Sequence, residues 1–267
     1  MSSAEPAALA PPPRRGRAPW APILLYHRVV PTLPRHDPAR NCVSSAAFAG
    51  HLRWLARRGY RSLALADVAA YLAGGAVPPR RAVAITFDDG YEDTYTHAWP
   101  LLRRYGFAAT VFLIADAVGG DNGFDRDVAG YEPATMLSAG QIREMRRSGI
   151  VFGSHGRAHR APLTALDDRA LDDRALDREL VSSRRALEGL LDAPVDYFAY
   201  PYSKVDARVE VAVARAGYRL ACAGVGTRFV PTCLHRVEPP SAGGAAVEAR
   251  LVWRRLKRTV RAWQRIA

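Results

Sequence analysis

The chain has 267 residues, 49% hydrophobic and 24% charged, which allows a substantial core and excludes wholesale disorder. Its formal net charge is +12, and among 38 basic residues only Lys204 and Lys257 are lysines. Nucleic acid, an anionic membrane, an acidic substrate and simple Arg-rich drift all fit such an excess, so its position along the chain has to decide.

Residues 1–21 are rich in Pro, Ala and Arg and read as a disordered arm. They lack a basic start followed by an apolar core, and no run of about 18 apolar residues occurs anywhere. A cytoplasmic protein is therefore expected. Cys42, Cys222 and Cys233 are too few for a disulfide framework and lack the spacing of a thiolate zinc site. Ile23 to Tyr26 is a strand, Phe48, Leu52 and Leu55 mark a helix face, and a second helix covers 64–72. Residues 82–87 form an apolar run suited to a strand buried on both faces. A helix over 95–105 and a β-branched and aromatic strand over 109–114 follow. The Gly- and Asp-rich stretch 116–131 is a long loop of the kind that carries function. A helix over 138–147, a strand over 150–152 and a long helix over 165–191, opening with ALDDR twice in tandem, come next. Strand 197–200, helix 207–216, strand 220–223 and a short strand near 235–237 complete the pattern. Alternating β and α over this length means a parallel α/β sheet, either barrel or doubly wound, and no Gly-rich phosphate loop opens a helix.

In α/β barrels the reacting groups sit at the C-terminal ends of the strands. Here those ends read Tyr26-His27, Asp88-Asp89-Gly90, His155-Gly-Arg-Ala-His159 and Tyr200-Pro201-Tyr202. Two carboxylates, three histidines and the Tyr200/Tyr202 pair thus converge on one rim. His155 and His159, four apart, can face one metal ion, and with a strand-end Asp they make a His₂Asp site with open coordination positions. One aspartate can ligate while its neighbour takes a proton. Consecutive strand residues point oppositely, so the Gly90 turn must help aim both. On its own, Asp-Asp-Gly also reads as a simple turn. His36, His51 and His97 read as solvated or packed.

Thr86-Phe-Asp-Asp-Gly90, His155-Gly-Arg-Ala-His159 and Phe198-Ala-Tyr-Pro-Tyr202 resemble, in order and spacing, the first three motifs of the polysaccharide deacetylases, the NodB-like carbohydrate esterases. Ile23-Leu-Leu-Tyr-His27 is similar to the opening strand of many members. The resemblance spans residues 22–240 and implies a distorted (β/α)₇ TIM-like barrel. It implies metal-dependent hydrolysis of an N-acetyl, sometimes O-acetyl, group on a sugar. Carried over, Asp88 is the general base, and Asp89, His155 and His159 bind a divalent metal. That metal is most often Zn²⁺, with Co²⁺, Mn²⁺, Ni²⁺ or Fe²⁺ as alternatives. Tyr202 and Tyr200 line the site, with the Tyr202 amide at the oxyanion. The general acid is left between His235, in a Leu-His pair that also reads as an ordinary final strand, and His27, which could instead orient the substrate. Three departures stand out: Gly156 replaces a hydroxyl residue, Ser203 replaces a glycine, and the third motif lacks the Arg that tunes the base. Asp121, Asn122, Asp125 and Asp127 in the long loop are candidates for sugar hydroxyls, and read equally as a solvated loop. Rival readings are a non-catalytic carbohydrate-binding barrel, a deacylase of a non-sugar amide, and an iron-dependent oxidase.

Residues 250–267 hold seven basic and no acidic residues, which leaves only +5 for the rest of the chain. Within 241–267, Val252, Trp253, Leu256, Val260, Trp263 and Ile266 fall on one helical stripe about 140° wide. That is the pattern of a basic amphipathic helix at an anionic membrane surface, and equally of a terminal helix packed on the barrel. No recognition motif accompanies it, so nucleic acid is not an expected partner. An acetylated carbohydrate is.

Overall fold

The computed structural model describes residues 21–37, 40–79, 81–127, 131–159, 163–164, 171–224 and 229–239. The expected arm therefore lies outside the described residues except for Ala21, and the expected C-terminal helix lies wholly outside them. Ala21 is buried beside Ile23, so the packed body begins before the boundary expected from composition.

In chain order the elements are β1 (Ile23–Tyr26), β2 (Arg28–Val30), β3 (Cys42–Ser44), α1 (Ser45–Arg57), β4 (Arg61–Ser62) and α2 (Leu65–Leu72). Then come β5 (Ala82–Phe87), α3 (Trp99–Tyr105), β6 (Thr110–Leu113), α4 (Ala139–Arg147), β7 (Val151–Ser154) and α5 (Asp173–Leu191). The chain continues through β8 (Tyr197–Ala199), α6 (Ala207–Arg215), β9 (Leu220–Cys222), β10 (Phe229–Val230) and β11 (Cys233–Leu234). The main sheet runs β1-β5-β6-β7-β8-β9-β11 with every neighbouring pair parallel. Just past β11, Val237 bonds to β1 in both directions, its amide to Ile23 O at 2.8 Å and its carbonyl to Leu25 N at 2.9 Å. This contact closes the sheet into a seven-stranded distorted (β/α) barrel. β10 pairs antiparallel with β11, β4 pairs with the start of β5, and β2 and β3 form a separate parallel pair.

Strand parity sorts the core. In β5, Val83, Ile85 and Phe87 pack outward in the large helix-facing cluster, while Ala82 and Ala84 face the barrel interior with Ile23, Phe112, Ala199, Leu220, Cys222 and Leu234. The interior is narrow. A Cβ on Gly153 of β7 would lie 2.6 Å from the Phe112 ring and 2.8 Å from Tyr197 O, so glycine there is what gives Phe112 its space.

Three elements differ from the sequence expectation for local reasons. The segment expected as one helix over 95–105 opens with a π-helical turn at Thr94–Ala98 before α3, whose second residue, Pro100, has no N–H for the α-helical ladder. α5 begins at Asp173, because Asp172 in the second ALDDR copy caps it by accepting from Ala175 N at 2.6 Å. The first copy, 165–169, lies outside the described residues. The last strand falls at 233–234 rather than 235–237, with Val237 acting as the closing bridge.

Candidate active site

The rim at the C-terminal strand ends carries the chemistry. Asp88 directly follows β5 and keeps the inward parity of Ala84 and Thr86. Asp89 would then point outward, but its φ of +70° breaks the alternation, and Gly90 follows at +86°. A Cβ on Gly90 would meet Leu113 Cδ2 at 2.6 Å. Both carboxylates are thereby buried on the same side. The reorientation expected of Gly90 is shared with the backbone of Asp89 itself, a strained conformation of the kind that concentrates at functional sites.

His155 keeps the inward parity of Gly153 at the end of β7. Its Nδ1 donates to Ala199 O at 2.8 Å, which assigns the proton to Nδ1 and turns the Nε2 lone pair toward Asp89. His159 sits at φ +54°, with its ring between Phe124 (centroids 4.9 Å apart) and Tyr202 (4.5 Å). Asp89 Oδ1 lies 3.3 Å from His155 Nε2 and 3.5 Å from His159 Nε2. It is a fully buried oxygen with no well-formed hydrogen bond. A tetrahedral zinc-type ion with ligand bonds of about 2.0–2.1 Å sets its donor atoms roughly 3.3–3.4 Å apart. Both Asp89 distances match that spacing, all three ligand atoms lie within 4.8 Å of one another, and Asp89, His155 and His159 form a buried cluster among the described residues that can hold a divalent cation.

The electrostatics of Asp89 and His159 agree. Burial opposes ionisation of Asp89, but His155, His159 and His27 outweigh it and hold its carboxyl well below the usual range. Burial dominates at His159 and lowers it to about 4, so it is neutral near pH 7, the form that ligates. Burial also pushes His155 down, and the two carboxylates pull it up by more.

Asp88 has a partner that the sequence reading missed. Arg236, fully buried, forks onto it with Nη1–Oδ1 at 2.7 Å and Nη2–Oδ2 at 2.6 Å. It also donates to Thr86 Oγ1 and Ala223 O. Burial would raise the Asp88 pKa; Arg236 first, then His155 and His27, lower it on balance. The arginine expected in the third motif and absent there has a counterpart two residues past β11, 148 residues from Asp88 in sequence. Each carboxylate oxygen keeps a lone pair beyond the fork, so Asp88 can still accept a proton from water. Parity was the available signal: Leu234 packs in the barrel interior, and Arg236 shares its side of the strand.

The same parity separates the two candidate acids. His235 is half-buried and shares the register of Cys233 and Val237, both in the outer core. His27 shares the register of Ile23 and is close enough to perturb Asp88, Asp89, Asp125 and His159. Tyr202 is half-exposed over His159, but Tyr200 is not at the site. It packs in the outer core against Phe198, and its hydroxyl donates to Thr232 O at 2.5 Å. Inward parity ends at Ala199, which is why the neighbouring Tyr200 turns to the helices.

In the long loop the four polar candidates divide. Asn122 is buried and closes the loop on itself through Glu132 O and Ala134 N. Asp121 caps the local turn at Gly123 N, and Asp127 is exposed. Asp125 faces the site: burial first, then Asp89, raise it to about 6, and the Tyr91 hydroxyl donates to it at 3.5 Å. The sequence reading did not single out Phe124, which brings the loop onto His159 of the candidate metal cluster. His51 is packed, as expected, with Nδ1 3.2 Å from the Tyr26 hydroxyl.

The family profile described as polysaccharide deacetylase matches residues 75–221, more than half of the chain. YxkH of Bacillus subtilis is 27% identical over 233 residues, 85% of this chain and 75% of that protein. The poly-beta-1,6-N-acetyl-D-glucosamine N-deacetylase of Staphylococcus aureus is 32% identical over 108 residues, 40% of this chain but only 34% of the relative. Among solved structures, IcaB from Ammonifex degensii is similar at 25% identity with TM-score 0.71, covering 93% of this chain and 98% of that one. A Streptococcus pyogenes deacetylase, PplD, solved with acetate, shares the fold at 22% identity with TM-score 0.72, covering 90% and 99%.

Proposed function

Since the chain belongs to the polysaccharide deacetylase family, we propose that it removes N-acetyl groups from a glucosamine-containing glycan, using a zinc-type ion, with Asp88 as general base. The observation that carries this reading is the buried Asp89–His155–His159 cluster with Asp88 beside it, aimed by the same turn. The substrate class is supported by the name of the Staphylococcus aureus relative, whose match covers a third of that protein. Asp89, His155 and His159 would hold a divalent cation, which would supply Lewis acidity for the acetamide carbonyl and a more acidic water near neutral pH.

The chain's own groups do the rest. Asp88, held in one rotamer by the Arg236 fork, takes the proton from the attacking water as its oxygen bonds to the carbonyl carbon. The Tyr202 amide, on the strained turn at φ +54°, is the proposed donor to the tetrahedral oxyanion. His27 protonates the departing nitrogen, so that water and the N-acetyl sugar become acetate and a free amine. Phe124 and Tyr202 flank His159 and give the sugar ring apolar walls. Acetate release from β-1,6-linked N-acetylglucosamine oligomers, with added zinc or cobalt, tests the reading. Wild type should turn over, and Asp88→Asn should lose about 10²–10⁴-fold. Metal-loaded wild type that releases no acetate from any acetylated sugar overturns it.

The basic, tryptophan-bearing segment 250–267 supports a second part of the proposal: a cytoplasmic enzyme held at an anionic membrane, acting on a lipid-linked acetylated sugar. Full-length protein should bind anionic vesicles better than a chain ending before Arg250. Equal binding overturns this part.

A further inference from the structure

Glu179 is a carboxylate in the middle of an apolar helix face. It lies on α5 in the buried stripe Leu176, Leu180, Ser183 and Leu187, and is itself 6% exposed. A carboxylate buried there is costly unless its oxygens are bonded. Its Oε1 accepts from the backbone amides of Arg157 and Ala158, both at 2.8 Å. Those two residues, with Gly156, join His155 to His159 of the metal cluster.

The rest of the connection is fixed as fully. Gly156 N donates to Ser154 Oγ at 3.1 Å, and Ser154 Oγ in turn bonds Ser183 Oγ on α5. On the other side, Ala115 N and Asp116 N donate to the carbonyls of Gly156 and Arg157. Successive amides converging beyond a left-handed residue form an anion-binding concavity, and here Gly156 at φ +86° begins it and Glu179 fills it. A Cβ at Gly156 would lie 3.0 Å from Glu179 Oε1. The departure from a hydroxyl residue after the first histidine thus has a compensation: the grip comes from the following helix.

We infer that Glu179 is a positioning residue for the metal site, holding the 156–158 backbone so that His159 Nε2 is presented to Asp89 and His155. The inference rests on the metal reading above, and its test uses metal affinity rather than turnover. Chelator-stripped, full-length protein is titrated with zinc against a chromophoric chelator, with unfolding midpoints confirming that each variant is folded. Glu179→Asp keeps the charge but shortens the reach; Glu179→Gln keeps the reach and an acceptor oxygen but drops the charge. Positioning predicts a loss for Glu179→Asp of about 10–100-fold, as for other groups that orient metal ligands. Glu179→Gln should retain most of the affinity. Wild-type affinity in Glu179→Asp, or Glu179→Gln binding as weakly as Glu179→Asp, overturns the inference. A wild type that binds zinc yet releases no acetate would end the deacetylase reading and leave this one standing.

Discussion

Arg236 sets the electrostatics of the site at the scale of single residues. A buried Asp without a cation becomes neutral at ordinary pH, and a neutral Asp88 cannot take a proton. The bidentate fork reverses that, and it sits under strict geometric limits because Arg236 also bonds Thr86 and Ala223 and lies over the Phe112 ring. Arg236→Met removes the cation and leaves the carboxylate buried, which should cost about 3–5 kcal/mol near neutral pH. The sign of the pH dependence distinguishes this from simple loss of packing. In wild type the Asp88 pKa is lowered, so its contribution is full above the unfolded value and is lost as pH falls through the folded value. In Arg236→Met burial is opposed only by His155 and His27, so that pKa rises relative to wild type and the variant should gain stability relative to wild type as pH falls from 7. Urea unfolding at several pH values measures the difference. A gap between the two proteins that is constant with pH would show that Asp88 is not what Arg236 holds.

At the scale of elements, the site depends on how tightly the strands are filled beneath it. Gly153 stands two residues before His155 on the same interior face, with Phe112 and the Tyr197 carbonyl occupying the volume of its absent side chain. Gly153→Ala should destabilise by about 1–3 kcal/mol, the usual cost of forcing a methyl into a packed interior. Phe112→Leu should relieve part of that cost, so denaturant unfolding of the double variant should show less than the summed losses. Strict additivity would mean that the ring is not the obstacle. The same interior shows what sequence can and cannot reveal. The continuous apolar run of β5, the strand-end Asp-Asp-Gly and the HxxxH pair were legible because each is a local pattern with a physical period. Arg236 was not, since its partner is distant in sequence and the segment Cys-Leu-His-Arg-Val reads as an ordinary strand unless its register is known. Tyr200 was misassigned for the same reason: the strand-end motif was visible, but not which of its residues keeps the inward parity. The separate β2–β3 pair and the capping role of Asp172 escaped because short strands and helix starts lack a sustained period.

At the scale of the whole molecule, the three side chains of the candidate metal cluster come from strands that are not neighbours. Asp89 follows β5, while His155 and His159 follow β7, and β6 lies between them in the sheet. An ion bound by all three bridges strands that are not neighbours, and the unfolded chain has no such cluster. Binding should therefore act as folding free energy. Zinc at 100 times its Kd contributes about 2.7 kcal/mol, which for a chain of this size raises the unfolding midpoint by about 5–10 °C. The midpoint should climb with the logarithm of free zinc, fall on chelation, and lose this dependence in Asp89→Asn. The positive charge outside 250–267 is modest, and the ligand set is buried, so the shift should survive moderate salt where surface binding of cations to exposed carboxylates would be screened. Thermal unfolding across a zinc series at low and high ionic strength separates the two. A midpoint indifferent to zinc, cobalt, manganese and nickel alike would remove the metal from this fold. A shift that disappears in salt would move it from the buried cluster to the surface.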